Sequence, residues 1–211
     1  MLVVLFQLVY FNFRGRAEFI RYILIANGVP FKDERIELDD WPQVKSKHPT
    51  FRLPYLEITM KNGTTVLYEE SLAIGHQIAM HHHMIPNNPE GLYRMEKMIF
   101  QCLELENEFW QVKEAPKEEE ERLIQRFRED AAPKFLAMIC KSLTEAGGQF
   151  AAGTHPTLAD FYLLSVMEHV SDVDPNILNS GYPNIAKHRK VVLEAYPKLA
   201  AYIKSRAVTP Y

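Results

Sequence analysis

The chain has 211 residues, of which 47% are hydrophobic and 24% charged, and its formal net charge is −3 at pH 7. This composition is typical of a globular protein that buries a core, and the length suits one large domain or two small ones. The slightly acidic balance gives no indication of nucleic-acid or anionic-membrane binding. The longest apolar run, Leu2 to Val9, is too short to span a bilayer and lacks the basic start of a secretory signal.

The chain contains two cysteines, Cys102 and Cys140, and their spacing fits no metal-binding motif. So low a cysteine content is typical of a reducing compartment, and we expect two thiols that act as small apolar side chains in a cytoplasmic protein. A thioredoxin-type oxidoreductase needs a cysteine at the first strand–helix turn, commonly as Cys-x-x-Cys. Because no cysteine precedes residue 102, this activity is excluded.

The first 80 residues alternate between strand and helix patterns. They predict four strands and two helices, over Val3–Val9, Ala17–Asn27, Phe31–Ile36, Tyr55–Met60, Thr65–Tyr68 and Ser71–His82. Asn62-Gly63, between the last two strands, predicts a tight hairpin, so these strands should be antiparallel. The first two strands are joined through a helix and should be parallel. A β-α-β unit is therefore followed by a β-β-α unit.

Beyond residue 92 the strand signals disappear and the pattern becomes helical. Apolar residues at helical spacing predict one long helix through 95–109 and a second through 123–139, with a kink at Pro133. Thr157 and Asp160 have the spacing of a capping box and predict a further helix start. We therefore predict an α/β domain over residues 1–83, a linker over 84–91 and an all-helical domain over 92–211.

The segment Tyr10 to Glu18 is the strongest candidate for a functional site. It joins the first strand to the first helix, the place where α/β folds bind ligands. It contains the phenol of Tyr10 and the guanidinium groups of Arg14 and Arg16, and both kinds of group favour an anion. The residues alone leave Tyr10 open to a second interpretation, since a tyrosine that ends a strand commonly belongs to the core or its rim.

Five short motifs together identify a family. They are Val-Tyr-Phe-Asn-Phe-Arg-Gly-Arg-Ala-Glu over 9–18, Asp-Asp-Trp-Pro-Gln-Val-Lys over 39–45, Arg52-Leu53-Pro54, Glu70-Ser71-Leu72-Ala73-Ile74 and Thr157-Leu158-Ala159-Asp160. With this order and spacing the chain resembles a cytosolic glutathione transferase over essentially its whole length. It is similar to the sigma class and most like the flatworm (trematode) members. The resemblance implies an α/β thioredoxin-like N-terminal domain and an all-α C-terminal domain.

The resemblance also implies a role for each motif residue. Tyr10 is the catalytic tyrosine that donates to the sulfur of glutathione, Arg16 adds positive charge beside that sulfur, and Arg14 has a structural role. The residues implied to bind glutathione are Tyr10, Arg16, Trp41, Lys45, Arg52, Leu53, Pro54, Glu70, Ser71 and, from the other subunit of a homodimer, Glu104. Leu53-Pro54 corresponds to the family's cis-proline turn. Without the resemblance, Trp41 and Lys45 fit two interpretations equally well. They are either a binding pair for the glycyl carboxylate or simply an exposed aromatic ring beside a solvated lysine.

Aromatic residues are the candidates for the second-substrate pocket. They are Phe11, Phe13, Phe109, Trp110 and Tyr211, although aromatic residues at such spacings are commonly part of a core. His81-His82-His83 suggests metal binding, but consecutive histidines at a helix end point in different directions. We therefore expect a solvated surface there and no metal site.

The implied activity is that of an enzyme that adds the glutathione thiolate to small hydrophobic electrophiles in detoxification. Glutathione is the implied co-substrate, with no metal. Isomerisation of prostaglandin H2 to the D form is a second activity of the class. The alternative is a non-catalytic ligand carrier or a crystallin-like structural protein, and the complete set of glutathione-site residues argues against it.

Overall fold

A four-stranded mixed sheet organises the first part of the chain. The computed structural model describes residues 3–147, 149–178, 181–209 and 211. Its strands are β1 (Val3–Phe11), β2 (Phe31–Ile36), β3 (Tyr55–Met60) and β4 (Thr65–Glu69), in the spatial order β2-β1-β3-β4. The β1–β2 pair is parallel, and the β1–β3 and β3–β4 pairs are antiparallel. The predicted strands and the predicted directions of both tested pairs are confirmed.

The described residues form nine α-helices. They are α1 (Glu18–Ala26), α2 (Trp41–Val44), α3 (Ser71–His81), α4 (Pro89–Lys113), α5 (Lys117–Arg126), α6 (Ala132–Ala146), α7 (Leu158–Val173), α8 (Pro183–Ala195) and α9 (Pro197–Ser205). Short 3-10 turns cover Gly15–Ala17, Leu38–Asp40 and Lys45–Lys47. Helix α4 begins inside the segment predicted as a linker, because Asn88 caps it by accepting a hydrogen bond from Gly91 N–H at 2.8 Å.

Helix α1 is buried on nearly all sides. Phe19, Ile20 and Leu24 are almost inaccessible to solvent, and the helix packs against α3 and α9. A largely apolar helix is stable only when neighbours cover it in this way. Each such side chain contributes roughly 1.5–3 kcal/mol to folding. This packing holds the turn before α1, and with it the end of β1, in a fixed position.

The helical part of the chain is built around α7. Most of its residues are buried and it packs against α4. The predicted capping box is present at its start, where the Asp160 carboxylate accepts from the Thr157 N–H at 2.7 Å and from the Thr157 hydroxyl at 3.0 Å. Asp160 also accepts from Ala151 N–H and faces His188 Nε2, each at 2.7 Å.

The second long predicted helix is divided into two. A π-helical turn, Phe127–Ala131, connects α5 to α6. Pro133 lies in the first turn of α6, and because it has no N–H it cannot continue the α-helical hydrogen bonding of the preceding turn. The kink expected at Pro133 is therefore a wider turn that ends just before it.

The described chain divides into two compact units. The first contains the residues up to His82 together with those from Pro197 onward, and the second is His83–Tyr196. Helix α9 thus belongs with the sheet, because it packs against α1, whereas the sequence pattern placed it with the helical domain. Hydrophobic periodicity identifies a helix but not the element that it packs against.

Candidate active site

Tyr10 lies near the carboxyl end of β1 and is 4% exposed. Its hydroxyl oxygen accepts a hydrogen bond from the backbone N–H of Arg16 at 3.2 Å. A phenol that accepts in this way retains its own O–H as a donor. The strand and the following 3-10 turn therefore place a buried phenol and a main-chain N–H together at the sheet edge.

Gly15 makes this approach possible. Its φ is +42°, and a Cβ at this position would lie 2.7 Å from the Tyr10 hydroxyl oxygen and 2.8 Å from a ring carbon of Phe13. No real Cβ tolerates such distances, so any other residue would displace the tyrosine. Glycine is required at the turn for space as well as for backbone freedom.

Three of the predicted pocket aromatics gather around Tyr10. Phe11 and Phe13 each meet the Tyr10 ring edge-on, with ring centroids 5.4 Å apart, and they stack on each other at the same separation. Tyr211 meets Phe13 at 5.0 Å. The rings form an apolar wall beside the phenol.

Arg21 is a member of the site that sequence reasoning missed. It is completely buried, and its Cζ lies 6.0 Å from the centre of the Tyr10 ring. Its Nη1 donates to Glu18 at 2.9 Å and its Nε to Asp33 at 3.1 Å. Burial alone would lower the pKa of Arg21, but the two carboxylates outweigh it and raise that pKa. The available signal was an arginine within an otherwise apolar helical run.

Trp41 and Lys45 lie four residues apart and share a face of one helical turn. The Lys45 N–H donates to the Trp41 carbonyl, so the helical turn continues through both residues. Trp41 is half-buried and meets Phe11 edge-on at 5.8 Å, while Lys45 is exposed. The tryptophan ring thus connects α2 to the aromatic wall and leaves the lysine charge in solvent.

The Leu53–Pro54 peptide bond is cis, as the resemblance implies. It lies immediately before β3, and Leu53 packs on the cluster formed by Val9, Ile36 and Tyr55. This packing fixes the position of the Leu53 backbone beside the end of the sheet.

Glu70 and Ser71 open α3 beside Arg52. Glu70 has a φ of +65°, uncommon for a residue with a side chain, and no side chain caps the helix among the described residues. The Arg52 guanidinium lies 3.6 Å from the Glu70 carboxylate, and both side chains are largely exposed. An ion pair of this kind contributes little to stability, whereas the uncapped N–H groups of α3 form a favourable anion site.

The remaining candidates belong to the helical unit. Phe109 is fully buried and stacks on His169 with ring centroids 4.5 Å apart, so it presents no surface to solvent. Trp110 is 9% exposed, whereas Glu104 is exposed on α4. The burial of Phe109 argues against a pocket role for it. A pocket role for Trp110 and the contact of Glu104 with the other subunit's glutathione stay predictions.

Metal and thiol chemistry receive no support from the residues that the structure describes. His81 and His83 are exposed, and within the described ranges no group of three or more potential metal-binding side chains is present. Burial raises the pKa of the Cys102 thiol, and a thiol with a raised pKa is a poor nucleophile at neutral pH. Across the same residues, no helix has the length and apolar character needed to cross a membrane.

Known proteins resemble the chain in both sequence and fold. A family model described as "Glutathione S-transferase, C-terminal domain" matches residues 104–206. The chain is 42% identical to the "Glutathione S-transferase class-mu 28 kDa isozyme" of Schistosoma haematobium, over 97% of each protein. It is 29% identical to the human "Hematopoietic prostaglandin D synthase", over 97% of this chain and 98% of that protein. A solved structure of a Fasciola hepatica sigma class GST superposes with a TM-score of 0.92 at 35% identity, covering 98% of this chain and 99% of that one.

Proposed function

The chain belongs to the glutathione transferase family and is an enzyme of that family, and on this premise we propose that it adds the glutathione thiolate to small hydrophobic electrophiles. The observation that carries the proposal is the hydrogen bond from Arg16 N–H to the Tyr10 hydroxyl. It orients a buried phenol as a donor at the end of β1. The sulfur of glutathione is the acceptor in this proposal.

The hydrogen bond from Tyr10 makes a limited contribution to the rate. A hydrogen bond to a charged group contributes roughly 1.5–3 kcal/mol, which lowers the pKa of a thiol by about one to two units. A free thiol of pKa about 8.5 is less than a tenth ionised near neutral pH, so the thiolate fraction rises about tenfold at most. Bringing the electrophile next to the sulfur must supply much of the remaining acceleration.

Glutathione binding is assigned in this proposal to groups of the first unit. The uncapped start of α3, with the Ser71 hydroxyl, suits the γ-glutamyl carboxylate, and the exposed Glu70 suits the ammonium group. The Leu53 backbone before Pro54 suits pairing with the cysteinyl peptide. Trp41, Lys45 and Arg52 suit the glycyl carboxylate.

The electrophile is assigned to the aromatic wall. Phe11, Phe13 and Tyr211 lie against Tyr10 or one another, and an apolar wall next to the reactive sulfur selects hydrophobic partners. Of the two aromatic candidates on α4, Trp110 stays a proposed pocket residue, whereas Phe109 is completely buried and is not proposed. Electrophiles that lack an apolar body should therefore react slowly.

The active unit in this proposal is a cytoplasmic homodimer. Exposed Glu104 then reaches the glutathione of the other subunit, which makes each site depend on both chains. Mixing a Glu104→Gln variant with a Tyr10→Phe variant tests this arrangement. If Glu104 acts across the interface, the mixed dimer combines both defects in one site and leaves the other site intact, so activity rises above that of either parent variant.

Steady-state conjugation by a Tyr10→Phe variant tests the chemical proposal. We expect a loss of about tenfold in kcat/KM at neutral pH and a higher pKa of the bound thiol, with little change in glutathione affinity. Tyr93→Phe, which alters an exposed tyrosine, is the matched control. An unchanged rate and thiol pKa in Tyr10→Phe would disprove the role of Tyr10. A wild-type protein that binds glutathione without turnover would indicate the carrier or crystallin-like alternative.

A second candidate activity is the isomerisation of prostaglandin H2 to its D form. The likeness to the human hematopoietic prostaglandin D synthase favours it. The reaction is an isomerisation in which glutathione attacks the endoperoxide and is regenerated, so no net oxidant is required. Product analysis after incubation with the endoperoxide and glutathione decides the question, and D isomer no higher than in a Tyr10→Phe sample rules this activity out.

A further inference from the structure

A recess lined by arginines lies in the first unit, between β2, the turn that follows β1, and the segment after α9. Its volume is about 270 Å³, and its walls include Arg14, Arg35, Arg206, Glu18 and Thr209. The three arginines are substantially shielded from solvent. The exposed fraction is 9% for Arg14, and 26% and 14% for the side chains of Arg35 and Arg206.

The carboxylates of this region are already engaged. Glu18 accepts from Arg21 Nη1 at 2.9 Å, from Arg206 Nη1 at 2.5 Å and from the Tyr202 hydroxyl at 3.1 Å. Asp33 is shared by Arg21 and Arg35. Three arginines thus share two carboxylates, and Arg14 brings a further guanidinium group to the wall of the recess.

Guanidinium N–H groups remain unused in this arrangement. Arg35 bonds to Asp33 through Nε alone, at 2.8 Å, and within the described ranges its two terminal amino groups have no hydrogen-bond partner. Buried Arg21 Nη2 also lacks a partner among these residues, but Arg21 does not line the recess, so the available donors are those of Arg35. The Arg35 side chain is partly open to solvent, so a ligand that enters the recess can reach its terminal amino groups. A guanidinium group binds most strongly to an acceptor that carries negative charge.

The neutral groups of the recess also suit a ligand that carries negative charge. Burial and the neighbouring Glu18 carboxylate raise the pKa of Tyr202, so its hydroxyl stays protonated and adds no negative charge at physiological pH. The Thr209 hydroxyl adds a polar group to the wall. A planar guanidinium fork binds two oxygens of a phosphate or sulfate at once, more specifically than an ammonium group does.

We propose that this recess binds a tetrahedral oxyanion, either free phosphate or sulfate or the phosphoryl group of a monoester, with Arg35 as its principal ligand. Arg14 and Arg206 supply the surrounding positive field. The proposal is independent of the transferase reaction, because none of its three arginines has a chemical role in that reaction.

Titration calorimetry tests the proposal on the full chain, with inorganic phosphate and glycerol 3-phosphate as probes at constant ionic strength. We expect saturable binding of at least one probe, weakened about tenfold or more in Arg35→Gln because the guanidinium fork is lost. Arg35→Lys retains the charge without the fork and should bind between these limits. Lys32→Gln removes one exposed charge from the same strand, and its affinity should stay within about twofold of wild type.

The competing outcomes are separated by two further measurements. Phosphate binding that persists when glutathione is saturating supports the proposal, whereas competition would place the anion at the glutathione site and overturn it. A crystal of the wild-type protein grown with selenate should show anomalous density within hydrogen-bond distance of the Arg35 terminal amino groups. Because this measurement uses the wild-type protein, it tests the proposal even if the Arg35→Gln variant fails to fold. No density there, or binding of neither probe, would overturn the proposal.

Discussion

The backbone N–H of Arg16 donates to the hydroxyl oxygen of Tyr10 across 3.2 Å, and a glycine between them in the chain provides the space for it. A Cβ on Gly15 would meet that oxygen at 2.7 Å. The orientation of the phenol therefore depends on one missing methyl group. The catalytic role proposed for Tyr10 makes this dependence measurable.

We expect Gly15→Ala to lower kcat/KM for conjugation at least as much as Tyr10→Phe, by about tenfold, since the phenol must move to accommodate the new Cβ. Part of the effect on stability comes from the positive φ, which costs an alanine roughly 1–2 kcal/mol. Gly147→Ala is the matched control, because Gly147 has a φ of +63° and nothing within 4 Å of its Cβ position. Steady-state kinetics and urea unfolding separate the two effects. Equal losses of activity in both variants would contradict the steric account.

Asp160 should be among the most important side chains for the stability of the helical unit. Its buried carboxylate holds two N–H groups, one hydroxyl and the His188 ring. We expect Asp160→Ala to lower the free energy of unfolding by about 3–5 kcal/mol, because buried donors lose their charged acceptor. Replacing only His188 with leucine leaves the other donors satisfied and should cost about 1–2 kcal/mol.

Urea denaturation measures both variants, and Asp130→Ala is the control on the surface. Asp130 is exposed, so its removal should change the unfolding free energy by less than about 0.5 kcal/mol. An Asp160→Ala loss no larger than that of Asp130→Ala would show that the carboxylate has no structural role.

The strands of the sheet could be predicted from the sequence because local signals define them. Alternating apolar residues, and the Asn-Gly pair of the hairpin, specify β3 and β4 almost to the residue. Contacts between residues far apart in the sequence could not be predicted in this way. Nothing near α9 in the sequence indicates that Tyr202 donates to Glu18, and this contact assigns the last helix to the first unit.

The residues of the candidate site were predicted mainly from sequence motifs, so a residue outside the motifs was easily missed. The motifs identified Tyr10, the cis peptide before Pro54 and the start of α3. They did not identify Arg21, whose side chain lies under the Tyr10 ring, because a single arginine in an apolar helix has no local partner pattern. The placement of Phe109 also differs from a simple pocket role, since stacking on His169 buries it completely.

The raised pKa of Tyr55 predicts that the free energy of unfolding falls at alkaline pH. Burial, Glu34 and Glu57 raise its pKa to about 12, compared with about 10 for an unperturbed tyrosine. Between these two pH values the unfolded chain has lost a proton that the folded chain keeps, so stability falls as pH rises. Below pH about 10 the contribution is fully present.

We therefore expect the stability advantage of wild type over Tyr55→Phe to shrink by about 1.3 kcal/mol between pH 9 and pH 11. Urea unfolding at both pH values measures it. Tyr55→Phe also loses the hydrogen bond to His48 Nδ1, but that loss is a constant offset that cancels in the comparison. Tyr93→Phe, on an exposed tyrosine, should follow the wild-type curve. Parallel curves for wild type and Tyr55→Phe would contradict the raised pKa.

Ser71 offers a test of glutathione recognition that is separate from chemistry. Its hydroxyl stands at the uncapped start of α3, where the proposal places the γ-glutamyl carboxylate. Removing a hydrogen bond to a charged group costs roughly 1.5–3 kcal/mol, so Ser71→Ala should weaken glutathione affinity about tenfold or more. The rate at saturating glutathione should change little, because this interaction is the same in the ground and transition states.

Equilibrium binding of glutathione and the kcat of conjugation together decide the outcome for Ser71. Ser171→Ala in the helical unit is the control, since among the residues that the structure describes its hydroxyl bonds only to the Met167 carbonyl, within its own helix. A Ser71→Ala variant with wild-type affinity would show that the γ-glutamyl carboxylate does not bind at the start of α3. A variant with a reduced kcat and unchanged affinity would instead connect Ser71 to the thiolate, because only an interaction that strengthens in the transition state changes the saturated rate.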